Sequence, residues 1–576
     1  MKRWLIIGYF VILVAVITSG TLYYIKYEHP LLIIISSDII FGLVAVSILL
    51  YGLSYKPERF VWLWRIVPIA LVAFYASTWY LTGPIYVNTK GPSLLLILAV
   101  IAFLFPAFYL SFKFGYHKVL PAGKFNPKFA AFILVITSLC VVSRYFPLHQ
   151  DRINIKVNYV AEYNKITRPP NYDPNDNAAP YYQKAFELSI EQPEQLSKSE
   201  IKVWPKDLPE EKQVLLQNWV SANSDALEQL KLGTQRPYYW PEYKGDSMWD
   251  IAMPSLGKAR FLTYATCART RLNATEGNFK EAFSDLLICY KFGKHFTGRG
   301  TLVGQLIGIA IRSMVAQSGF KILDGAKPGP NLLENFQQHL EVLNSKQSYT
   351  IDFTAERLLI YDNIQRMFTD DGKGGGHVYG TRFLENKAHL KILFGCGEAL
   401  TLEEKRIWRK LDRRQTTKLA DEMFEYFSQQ ARKTPWHLHD EGENINKVAE
   451  EMTKDNLLVK MLTPNAGRVM EMSFRVKVHT DALITTLALL RYKADKGQLP
   501  ENLNQLVLAG YLKGLPIDPF SDNPLIYKRI GDDFTLYSFG ADLDDDGGTY
   551  SKWGKGEEGG DQVFWPVKSE GKQRGK

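Results

Sequence analysis

Cysteine is almost missing from this chain, with four among 576 residues. That scarcity excludes a disulfide-rich scaffold and a paired-cysteine zinc knuckle. The familiar catalytic signatures are also missing: there is no Gly-X-Ser-X-Gly nucleophile elbow and no His-Glu-X-X-His helix. The glycine-rich stretch from Asp370 to Gly376 lacks the Lys-Ser/Thr ending of a phosphate-binding loop, and no apolar strand precedes it.

A cationic surplus is missing from most of the chain as well, despite a formal charge of +9. Thirteen of the 69 Lys and Arg and four of the 60 Asp and Glu lie at or before Arg152, which leaves 56 of each beyond it. Nucleic-acid binding needs its own basic face, and the remaining three quarters offer no Lys/Arg run to make one. No nucleic-acid partner is therefore expected.

What is present first is apolar sequence. Residues 4–25, 31–53, 60–81, 92–112 and 129–146 are overwhelmingly apolar, and about 20 such residues span a bilayer's hydrocarbon core. The expectation is five spans, with the lipid bilayer as the first partner. Lys2, Arg3, Lys56, Arg59, Lys113, Lys118, Lys124 and Lys128 fall in loops on one side, against Lys26 and Lys90 on the other. The excess of cations predicts a bacterial inner-membrane location with a cytoplasmic N-terminus and everything beyond about residue 151 periplasmic or extracellular. Asp38 and Arg65 lie within the second and third runs. A transport or relay site would need more polar company than these two, so a mutual ion pair or snorkelling of Arg65 is the expectation.

Beyond the apolar runs the pattern turns helical. Residues 254–276 and 279–296 read as a helical hairpin broken at Gly277-Asn278, resembling a single tetratricopeptide-type unit with no second copy to build a solenoid. Residues 302–323 are apolar enough to suggest a sixth span, but Arg312 and the hairpin context predict a soluble helix. Cys267 and Cys289 fall level across the hairpin, where a disulfide is geometrically possible and buried free thiols are the alternative. Trp436-His437-Leu438-His439-Asp440 would place both imidazoles on one face of a strand, which defines an alternative reading as an exported metal-dependent hydrolase.

The most legible stretch is the last fifth. A long helix ends at Gly497, a short helix over 501–509 ends at Gly510, and the runs 525–530 and 534–539 read as a β-hairpin turning at Gly531-Asp532-Asp533. Asp542, Asp544 and Asp546 then alternate before Gly547, like the opening of an EF-hand loop, although Trp553 occupies the position where that motif needs glutamate.

Taken in order, Tyr492-Lys493-Ala494-Asp495-Lys496-Gly497 with Pro500, Gly510-Tyr511-Leu512 with Leu515-Pro516-Ile517-Asp518-Pro519, Leu536-Tyr537-Ser538-Phe539-Gly540-Ala541-Asp542 and the late Asp561 resemble the globular part of the major pseudopilins of type II secretion systems. The resemblance implies a structural Ca2+ closed by Asp542 and Asp561 with main-chain carbonyls. Here the long helix is internal and carries Arg468, Glu471, Arg475 and Lys477, so the chain is not expected to polymerise as a pilin.

The expected fold class is thus a membrane α-helical anchor of five spans (1–150), a mostly α-helical exported domain (151–462) and a small C-terminal α+β pseudopilin-like domain (463–576). The expected function is non-catalytic: a multi-span envelope protein whose exported domain binds an envelope protein partner, with Ca2+ held by Asp542, Asp544, Asp546 and Asp561. A transport or secretion-system component built on Asp38 and Arg65 is a further alternative.

Overall fold

A computed structural model describes residues 153–251, 255–298, 300–345, 348–378, 402–550 and 559–567. All of them belong to one compact unit. The five apolar runs, with Asp38 and Arg65, lie outside the described residues.

The chain enters through α1 (Tyr159–Thr167) and α2 (Ala179–Leu188), then α3 (Glu210–Ala222) and α4 (Ser224–Thr234). The expected hairpin follows as α5 (Ser255–Thr275) and α6 (Phe279–His295), with Gly277 at φ +81° in the turn. Only glycine takes that conformation without a Cβ clash. Next come α7 (Leu302–Gly325), α8 (Pro330–Ser345) and α9 (Thr354–Met367). After residue 402 the chain forms two helices, α10 (Leu402–Arg409) and α11 (Arg413–Gln430), and Asp412 caps the second by accepting the Gln415 N–H at 2.9 Å. Short helices α12 (Pro435–Asp440), α13 (Ile445–Thr453) and α14 (Leu457–Leu462) lead to α15 (Ala466–Lys496) and α16 (Asn504–Leu508). A sheet closes the chain, with β1 (Ile526–Ile530), β2 (Asp533–Ser538) and β3 (Gln562–Trp565) in the order β1-β2-β3, antiparallel throughout.

The β1–β2 hairpin matches its sequence reading, with Ile530 opposite Asp533 and Gly531 at φ +59° in the turn. The third strand was not expected.

The expected fold class of a five-span anchor, an exported helical domain and a separate α+β domain does not describe what these residues form. They are mostly helical with one small sheet, and α7 is the one helix among the described residues long and apolar enough to cross a membrane. It lies in the core, with 61% of its most apolar window buried. Nor does the C-terminal α+β segment carry a core of its own. Leu483 and Leu487 of α15, Val315 and Phe320 of α7, Phe336 of α8 and Phe534 and Trp565 of the sheet fill a single apolar cluster. The physical reason is that α15 is apolar on more than the side its sheet covers, and α7 and α8 bury the rest.

Close approach places α7. A Cβ on Gly308 would stand 2.4 Å from the Gly293 carbonyl oxygen of α6. Farther along, a Cβ on Gly319 would stand 2.9 Å from a Leu483 methyl of α15. Gly308→Ala is therefore expected to destabilise by about 1–3 kcal/mol, since the obstructing atom is backbone. Gly257→Ala in α5 has nothing within 4 Å of the new Cβ and should stabilise by up to about 1 kcal/mol through helix propensity. Paired denaturant titrations check the opposite signs. Equal effects would remove the close-approach argument.

Candidate functional site

The acidic loop is the first sequence-predicted site. Asp561 is fully buried just before β3. Its Oδ2 accepts the Gly548 N–H at 2.7 Å, while Oδ1 is buried without a hydrogen-bond partner. Burial, helped by the charges of Asp545 and Asp546, pushes this carboxyl up to about 6. Asp542 Oδ2 accepts the Gly560 N–H. A Cβ on Gly559 would meet Asp542 Oδ2 at 3.2 Å and Asp546 Oδ2 at 3.8 Å, so both carboxylates approach the backbone leading into Asp561. Asp544 is exposed and accepts the Asp545 N–H at 2.9 Å. Leu543 takes φ +65° to turn the chain between these carboxylates. Among the described residues no three His, Cys, Asp or Glu side chains form a ready metal group. The fit to a hard cation rests on the orphaned Asp561 oxygen, which a metal would satisfy.

The histidine pair has a different geometry from the expected strand. Thr434 caps a helical turn through the His437 N–H at 3.2 Å, with Pro435 in the first position. Residues two apart on a helix point to nearly opposite sides. His437 Nδ1 lies 2.6 Å from Thr434 Oγ1, while the His439 ring rests 6.0 Å from that of Trp436. The two imidazoles and Asp440 are not gathered into a site.

Cys267 and Cys289 do meet across the α5–α6 hairpin. Both are buried free thiols, hydrogen-bonded to each other.

A cleft stands at residues that the sequence did not single out. It encloses about 500 Å³ between α1, the start of α2, the strap of residues 236–243, the end of α6 and the start of α7. Tyr163, Tyr172, Phe186, Tyr239, Trp240, Tyr243 and Phe296 line it with aromatic rings. Two asparagines clamp the strap as a neighbouring strand would. Asn177 accepts the Trp240 N–H at 3.0 Å and donates to its carbonyl at 2.8 Å, and Asn164 does the same for Tyr243 at 3.0 and 2.8 Å. Trp240 Nε1 donates to Thr167 Oγ1 at 3.2 Å, which fixes the indole. At one end His295 Nδ1 is 2.6 Å from the Tyr182 hydroxyl. Burial holds this imidazole far below its usual range, at about 3, so it is a neutral part of the wall at physiological pH. The missed signal was the density of Tyr238-Tyr239-Trp240-Pro241-Glu242-Tyr243, read without a partner to face.

No protein-family model matches the chain, and neither does any curated protein or solved structure.

Proposed function

We propose that this protein acts by binding, as a non-catalytic protein of the bacterial cell envelope, and that the aromatic cleft is its binding site. The observation that carries the reading is the rigid, largely uncharged wall. Its rings are held by the Asn164 and Asn177 clamps, and its one histidine cannot take a proton near neutral pH. Clefts of 300–1,000 Å³ with aromatic walls and a few polar groups are the usual form of a small-ligand site. Low-molecular-weight envelope extract should raise the melting midpoint of the full chain, and Tyr172→Ala should abolish the rise. An equal rise in both proteins would remove the cleft from the reading.

The location proposed is the inner membrane, with the described residues outside the cytoplasm. It is supported by the apolar sequence before residue 151 and by the eight loop cations against two. A C-terminal fusion reporting a cytoplasmic environment would overturn it.

We also propose a structural Ca2+ in the acidic loop, held by Asp542, Asp544, Asp546 and Asp561, with the buried Asp561 Oδ1 as its anchoring oxygen. The pseudopilin resemblance and the orphaned oxygen support it. Exported calcium modules often bind at about 10⁻⁴ to 10⁻³ M, so 1 mM Ca2+ should stabilise the fold by about 0.4–1.4 kcal/mol. The melt belongs on the full chain, because the C-terminal segment shares its core with α7 and α8. A midpoint that responds equally to Ca2+ in wild type and Asp561→Ala, or in neither, would reduce the loop to a turn.

A further inference from the structure

We infer that the aromatic cleft takes a neutral saccharide, recognised by ring stacking on its tyrosine and tryptophan faces and by hydrogen bonds from its polar rim; this rests on the binding reading above.

Charge narrows the ligand class first. Glu242 is the single formally charged side chain at neutral pH among the lining residues, and no Lys or Arg lines the cleft. An anion would face Glu242, and the one cation on these rings, Arg168, is engaged on Tyr172 and Trp240 and is not among the lining residues. A quaternary ammonium would suit an aromatic cage, but a cation already rests on two of these rings. The Arg168 guanidinium lies 4.6 Å from the Tyr172 centroid and 5.8 Å from that of Trp240. A second cation on the same rings would be repelled by it.

Ring geometry narrows it further. Tyr172 meets Trp240 at 68°, Tyr163 meets Tyr243 at 44° and Tyr239 meets Phe296 at 43°. Within each pair the rings are tilted to one another and share no common plane. A proline-rich peptide would instead want an extended aromatic groove to lie along, and the strap's backbone at Trp240 and Tyr243 is already engaged by the two asparagines. A sugar fits both halves of the wall. Its C–H face covers aromatic rings and its equatorial hydroxyls reach outward, where Gln183 and Glu242 stand exposed at the rim.

One part of the cleft wall is left without a side chain by a glycine. Gly304 lines it from the first turn of α7, and an added Cβ would meet only Thr301 Oγ1, at 3.3 Å. A longer side chain there occupies the ligand's space with little disturbance to the packing.

Calorimetric titration of the full chain, solubilised in a detergent without a sugar headgroup, tests the inference. The probes are N,N′-diacetylchitobiose, cellotriose and maltotriose, with decaproline and choline as the competing classes. The expected result is saturable binding of at least one oligosaccharide, weakened at least tenfold by Gly304→Met and by Tyr172→Ala, while both variants keep the wild-type circular dichroism. Saccharide binding that survives both substitutions, or no saccharide binding at all, overturns the inference. Decaproline or choline binding that both variants abolish would overturn the saccharide assignment and leave the cleft as a binding site. If no probe and no envelope extract distinguishes the variants from wild type, the binding reading falls too.

Discussion

Asp362→Ala should cost about 3–5 kcal/mol of unfolding free energy, the range for removing one partner of a buried charged network. Asp362 on α9 is fully buried. Its Oδ2 accepts the Ser247 hydroxyl and the Met248 N–H, each at 2.8 Å. Its Oδ1 accepts Gln365 Nε2 at 3.0 Å and Arg366 Nε at 2.9 Å. Arg366 also reaches the Asp246 carbonyl, so one carboxylate gathers the segment 246–248 onto α9. Truncation would leave the Met248 N–H and the Arg366 charge short of partners, and such groups carry the full penalty of lost solvation. The segment follows directly on the cleft strap, and the same substitution should weaken any ligand of the cleft. Urea titration measures the first effect. Asp362→Asn, which keeps an acceptor oxygen, should lose less. A loss below about 1 kcal/mol for the alanine variant would mean that the network contributes little.

Acidification from pH 7 to pH 4 should destabilise wild type by up to about 3 kcal/mol more than His479→Leu, at about 1.4 kcal/mol per pH unit of separation between folded and unfolded titration. His479 sits on α15 with its ring 5.3 Å from that of Phe564. Burial first, and the Arg475 charge second, hold it down at about 4 against an ordinary 6.5. The unfolded chain therefore binds this proton between those values and the folded one does not. Its contribution is fully present above about 6.5 and is lost as the pH falls toward 4. Glu356, raised to about 7 by burial, and Asp561 act in the opposite direction, gaining as the pH falls. They are common to both proteins, and the difference between the two melting series isolates His479. Parallel series would show that this ring is not held neutral.

The acidic loop, the histidine pair and the cleft were unequally legible. Asp542, Asp544 and Asp546 could be picked out because their spacing is local, but that spacing said nothing of which oxygen would be left without a partner. The alternation of His437 and His439 suggested a strand, and a capping threonine with a proline beside it decided for a helical turn. The cleft was invisible because Asn177 lies 63 residues and Asn164 79 residues from the strap residue each of them holds.

The sequence by itself determined the elements whose signals sit within a few residues of each other: the α5–α6 turn at Gly277, the end of α15 at Gly497 and the β1–β2 hairpin at Gly531. Glycine's freedom at positive φ works through local sterics, so no distant contact is needed to read it. Only the tertiary structure decided that α15 covers α7 from the other side, that β3 returns to β2, that α15 serves one shared core and that aromatic rings from distant segments line one cavity. Each of those depends on which distant surfaces meet, and apolar periodicity specifies that a face must be buried without specifying against what.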